Sequence, residues 1–127
     1  MRQKLLILGL VAAALGSLSA SLLAHHGGAA FDQSQTRTFT GIVTELQFAN
    51  PHVLVYFDVK SDEGVTERWS AWLTAPNKLA RAGWTKRTLE PGDRIEIVGT
   101  PHKGGSHILQ VRRLIGPDGN ELPRSEN

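Results

Sequence analysis

Phe48-Ala49-Asn50-Pro51-His52-Val53-Leu54-Val55-Tyr56-Phe57-Asp58-Val59 decides the reading of this chain. Val53, Val55, Phe57 and Val59 fall on one face of an extended segment, and Leu54, Tyr56, Asp58 and Lys60 on the other. That is a period-two strand with one strongly apolar side. Asn50-Pro51 breaks whatever precedes it and leaves His52 at the mouth of the turn, so the strand spans residues 52–60.

Upstream, residues 38–48 read as a long first strand, with Ile42, Leu46 and Phe48 expected on one face and Phe39 and Val43 on the other. Gly41 removes a side chain where a strongly curved strand needs a bend or a close approach. Downstream, Asp62-Glu63-Gly64 turns the chain into a third strand over 66–74, where Trp69, Ala71 and Leu73 alternate with Arg68, Ser70 and Trp72. Residues 78–83 form a short helix stopped by Gly83, and Trp84 and Leu89 pack that connection onto the open end of the sheet. Glu90-Pro91-Gly92-Asp93 is a turn, residues 94–99 a fourth strand, 100–105 a flexible loop and 106–114 a fifth strand. The fold class is therefore all-β: a small five-stranded OB-like Greek-key barrel with one short helix between strands 3 and 4. A sandwich normally uses more strands.

The remaining segments flank that barrel. Arg2 and Lys4, an apolar run over 5–15 and a small-residue stretch over 16–24 form a secretory signal peptide, which places the mature protein in the periplasm or outside the cell. The apolar run is too short for stable membrane insertion. Cleavage after Ala24 leaves His25 as the new amino terminus; cleavage after Ala20 is the alternative. The organisation is then a signal peptide at 1–24, a flexible N-terminal arm at 25–37 with Phe31 as its one sizeable apolar anchor, an OB-like domain at 38–116 and a polar C-terminal tail at 117–127. Of 14 Lys and Arg, the signal removes two, leaving as many as the 12 Asp and Glu, so the mature charge is zero. With no cysteine, disulfides and thiolate ligands are unavailable.

Five histidines carry the candidate chemistry: His25, His26, His52, His102 and His107. The first turn, with His52, and the last loop, with His102, lie where barrels of this type bind ligands; His107 opens the fifth strand toward the same rim. A free terminal amine and an imidazole on one residue chelate a metal, and neutral imidazoles suit copper, with zinc as the alternative. The expected site uses His25 through amine and ring, with His26, His52 or His102 completing it. Beyond Met1 there is no methionine, which disfavours a thioether site for cuprous ion. The plain alternative is that these are ordinary surface imidazoles, with His52 bonded to its own turn. Trp69 and Trp72 alternate to opposite faces, so at least one belongs to the core, and the other is exposed or covered by the helix.

Other chemistries find little support. Arg112-Arg113 is a single basic pair rather than a groove, and no nucleic acid is expected. Asp58, Asp62, Glu63 and Glu67 are solvated turn and strand-end charges, Ser70 and Ser106 have no activating context, and Gly104-Gly105 lacks a phosphate-cradling pattern. A non-catalytic role is expected. The competing role is a structural or interaction protein that binds an exported protein or a glycan through a strand edge or a Trp-bearing face.

His25-His26-Gly27, Phe31-Asp32, Thr40-Gly41-Ile42-Val43-Thr44, Asn50-Pro51-His52, Trp72, Leu79-Ala80-Arg81-Ala82-Gly83-Trp84, Leu89-Glu90-Pro91-Gly92-Asp93 and Gly99-Thr100-Pro101 together resemble a family of small exported bacterial proteins classed as a domain of unknown function. The resemblance implies export, a mature start at His25 and a single β domain, and it transfers no activity. The chain is more loosely similar to periplasmic copper-binding OB-type barrels, which use His, Met and Trp on the barrel surface.

Overall fold

Period-two patterning produces five strands: β1 (Arg37–Gln47), β2 (Leu54–Lys60), β3 (Thr66–Trp72), β4 (Arg94–Pro101) and β5 (Ile108–Ile115). One helix, α1 (Pro76–Arg81), lies between β3 and β4. The computed structural model describes residues 27–124; the expected signal peptide, His25 and His26 lie outside the described residues. The strands close in the order β1-β2-β3-β5-β4, with β4 returning to β1. Every pair is antiparallel except β3 with β5. This is the expected five-stranded all-β barrel with its single helix in the expected place.

The first strand departs from simple alternation. Arg37 to Ile42 pair with β4, and Ile42 to Gln47 pair with β2, but the register with β2 shifts between Val43 and Glu45. Thr44 is the extra residue of a bulge, and an extra residue reverses which face follows it. Phe39 and Val43 pack into the core before the bulge, and Leu46 and Phe48 after it. Ile42, expected beside Leu46, is instead 41% exposed, because the bulge resets the period between them. Gly41 is the point of closest approach. A Cβ there would stand 2.7 Å from Phe57 Cδ2 and 2.8 Å from the Asp58 carbonyl oxygen.

Inside the barrel, Val55, Phe57, Ala71, Ile95, Ile97, Leu109 and Leu114 are fully or almost fully buried. The helix begins at Pro76, two residues earlier than expected, because proline at the first helical position loses no intrahelical bond. It ends in a Schellman motif: Gly83 adopts φ 100°, Trp84 N donates to Leu79 O, and Gly83 N donates to Ala80 O. That turn sends Trp84 and Leu89 into the core, as expected, and Leu79 with them. The Trp84 indole N–H donates to Pro123 O at 2.7 Å. Residues after β5 turn at Gly119, where Ile115 bridges Glu121 and Leu122 N donates to Leu114 O. The described part of the polar tail thus runs back along the end of β5.

The compact body that carries the barrel begins at Phe31. Before it, Gly28–Ala30 forms a single 3-10 turn.

The crowding at Gly41 gives a direct check. Gly41→Ala forces Phe57 or the β2 backbone to move, and overpacking of this kind costs about 1–3 kcal/mol. Urea unfolding of the variant should show that loss, and unchanged stability would mean that β1 is not pressed against β2 at this point.

Candidate functional site

Trp72 is the residue around which the candidate site is built. It ends β3, pairing with Leu54 at the start of β2 on one side and with Gln110 in β5 on the other. Trp69 and Ala71 point inward and are buried, so Trp72 points outward by alternation and is half-buried. Because its partner Leu54 follows the Asn50-Pro51-His52 turn, that turn is delivered to the same end of the sheet; the Asn50-Pro51 peptide is cis.

The His52 ring stacks on the Trp72 indole, with centroids 5.4 Å apart and 21° between planes. Its Nδ1 stands 3.1 Å from the Leu73 carbonyl oxygen. Phe31 meets Trp72 edge-on at 5.7 Å and His102 edge-on at 5.8 Å. Four rings therefore run in sequence: His52, Trp72, Phe31, His102. Phe31 is 2% exposed and bridges His102 antiparallel, with Asp32 N donating to Pro101 O at 2.9 Å. The arm is thus anchored on the loop between β4 and β5, and Trp72 is covered by Phe31 and His52 rather than by the helix. His102 Nδ1 accepts the Gly104 N–H at 3.0 Å.

Polar contacts hold the arm beyond Phe31. Asp32 accepts from the Ser34 amide, the Ser34 hydroxyl at 2.6 Å and the Gln35 amide group. The hydrogen bonds from Ser34 hold the Asp32 carboxyl below the usual carboxylate value, helped by Gln35 and by the charge of Lys103. Arg112 donates to the Gln33 side chain and, through Nε, to the buried Thr100 hydroxyl at 2.6 Å.

His107 belongs elsewhere. Its ring stacks on Trp69 at 4.5 Å and 11°, and Phe39 packs on the same indole at 4.5 Å. Trp69 faces into the barrel and Trp72 out of it, so the two ring groups sit on opposite faces of β3. Of the five histidines, His52 and His102 join one ring sequence, His107 stands on the other, and His25 and His26 lie outside the described residues. Among the described residues no group of three or more His, Cys, Asp or Glu stands together in a metal-holding arrangement. Any such set involving His52 or His102 must draw ligands from outside them. Sequence reasoning identified Phe31 as the arm's apolar anchor but not its seat, since no local pattern marks a contact between the arm and the β4–β5 loop.

A family model described as a family of unknown function (DUF6152) matches residues 13–110, well over half of the chain and a span that includes all five histidines. No curated protein matches the chain. Among solved structures, the chain is similar to a ZRD-deleted mutant of TiaS in complex with agmatine, with a TM-score of 0.44 and 17% identity over 76% of this chain and 24% of that one. It is similar at the same TM-score and identity to a tRNA fluorescent labeling enzyme, over 67% of this chain and 18% of that one. Apo TiaS, a tRNAIle2 agmatidine synthetase, matches at a TM-score of 0.42 and 18% identity, over 65% and 18%. The chain spans less than a quarter of the length of each, and likeness at this level carries no argument about activity.

The Asp32 contacts predict a pH dependence. A carboxyl whose folded pKa lies below its ordinary 3.8 stabilises the fold fully above that value and loses its contribution as pH falls through the lower one. Thermal stability of the wild type relative to Asp32→Asn should hold a constant advantage above the ordinary carboxylate value and lose it progressively as pH falls below that value. An advantage unchanged at the acid end would contradict this role.

Proposed function

We propose, from the premise that the chain belongs to this family of unknown function, DUF6152, that it is a small exported β-barrel module that binds copper, with zinc as the alternative ion. His25 serves through its terminal amine and ring, and His26, His52 or His102 completes the site. One observation supports this reading above the rest: Phe31 is buried in the ring sequence that contains both His52 and His102. His25 stands six residues before Phe31, and a segment of that length reaches at most about 20 Å. The reading asks this six-residue segment to carry His25 to one of the two imidazoles.

The donor chemistry agrees with the ion. An amine and neutral imidazoles suit cupric ion or zinc, and the chain after Met1 offers neither thiolate nor thioether. His107, engaged on Trp69, is left out of the set. The protein acts as a carrier or store, and no catalytic step is assigned to it.

The second reading, an interaction protein, draws on one feature. β3 is in register with β5 only over Ser70–Trp72, so Thr66 to Trp69 have no β5 partner and present a short strand edge. A peptide or a glycan-bearing partner would use that edge, away from the arm.

Protein exported with its own signal should start at His25 by intact mass and bind one cupric ion per chain. Loss of a direct ligand costs at least the roughly 10–100-fold seen when only the surroundings of a ligand are altered. Equilibrium titration of His25→Ala, or of protein acetylated at the terminal amine, should show such a loss. Equal affinity with and without the amine would sink the reading.

A further inference from the structure

We infer that the two imidazoles of the ring sequence have different tautomers and different tasks: His52 presents Nε2 as a ready metal ligand, and His102 is a positioning residue for the arm. The ligand half rests on the copper reading above; the tautomers and the positioning half do not.

The assignment follows from which partner can donate. The Leu73 carbonyl oxygen can only accept, so the His52 nitrogen 3.1 Å from it, Nδ1, must carry the proton. In the neutral ring Nε2 is then the bare nitrogen, and it has no hydrogen-bond partner among the described residues. A backbone carbonyl on one nitrogen, fixing ring and tautomer while the other nitrogen stays open, is the arrangement that prepares histidine for a metal. The stack on Trp72 fixes the ring plane as well.

His102 has the opposite state. The Gly104 amide can only donate, so His102 Nδ1 must be bare and its lone pair is already used. The proton of the neutral ring then sits on Nε2. To ligate, this ring must either release Gly104 or lose its one remaining N–H proton and become imidazolate. Gly104 leaves room for this ring, since a Cβ there would come within 3.1 Å of Cε1 and 3.2 Å of Nδ1. What that ring does instead is support the arm: it closes its own loop, meets Phe31 edge-on, and lies on the residue whose backbone bridges Phe31.

Asparagine separates the two tasks. Its side-chain oxygen accepts the N–H two residues on, as in an Asx turn, so His102→Asn keeps the loop bond and removes any imidazole. Three measurements follow. In metal-free protein at about pH 8, where ordinary histidines are neutral, nitrogen-detected imidazole spectra should show His52 protonated on Nδ1 and His102 on Nε2. Hydrogen exchange at the Asp32 amide should speed about fivefold in His102→Ala, the effect of one hydrogen bond, and return toward wild type in His102→Asn. In copper titration, His52→Gln should lose at least about tenfold in affinity while His102→Asn stays within about threefold of wild type.

The reverse tautomers, or equal Asp32 exchange in all three proteins, would overturn the inference. So would a loss of copper in His102→Asn as deep as in His52→Gln. Wild-type protein that binds no copper yet shows the stated tautomers and exchange would instead reject the copper reading and the ligand task of His52, leaving His102 as the holder of the arm.

Discussion

β1 has to serve two neighbours that lie in different directions. Its first half pairs with β4 and its second half with β2, and the barrel closes only if the strand bends between them. Two local devices accomplish the bend. Gly41 lets the β2 backbone and Phe57 come within a distance no side chain would tolerate, and the extra residue at Thr44 rotates the strand so that Leu46 resumes the inward face. At the bulge the buried Thr44 hydroxyl has no hydrogen-bond partner, which carries a cost. Closure of the barrel depends on this bend, because β1 pairs with β4 through its first half and with β2 through its second.

Closure also explains why the aromatic and imidazole groups gather. Trp72 stands where β2, β3 and β5 come together, so the turn that precedes β2 and the loop that precedes β5 are both brought to it. His52 arrives with the first and His102 with the second, although they stand far apart in the chain. Phe31 then fills the space between Trp72 and His102, joining the arm to the two elements that the sheet has already placed. The ring sequence is a product of barrel topology, with the arm as its last component.

Several of these features were legible in the sequence because they are local. Alternation around Trp69 and Trp72 assigned one indole to the core, the Asn50-Pro51 break set His52 at a turn, and Gly83 closed the helix through its positive φ. The features that escaped are those in which a backbone detail or a distant partner decides. Period-two counting cannot see a bulge, so it misplaced Ile42. Composition made residues 117–127 a polar tail, whereas the Trp84 indole needs an acceptor and finds it at Pro123. His52 and His102 look alike as letters; only the carbonyl beside one ring and the amide beside the other distinguish them.

The order of strands has a consequence for how the molecule assembles. β1, β2 and β3 form a meander of near neighbours, whereas β1 with β4, β3 with β5 and Phe31 with His102 join segments far apart in the chain. Non-local pairings of this kind slow folding, because loop entropy is lost before contacts repay it. During synthesis the meander stands with both outer strands unpaired until β4 and β5 emerge, a three-stranded sheet with two open edges. The arm's seat on His102 comes into being only when nearly all of the barrel sequence has been made. An assembled seat for Phe31 is therefore a late marker of a completed barrel, a property that neither the arm nor the meander has alone.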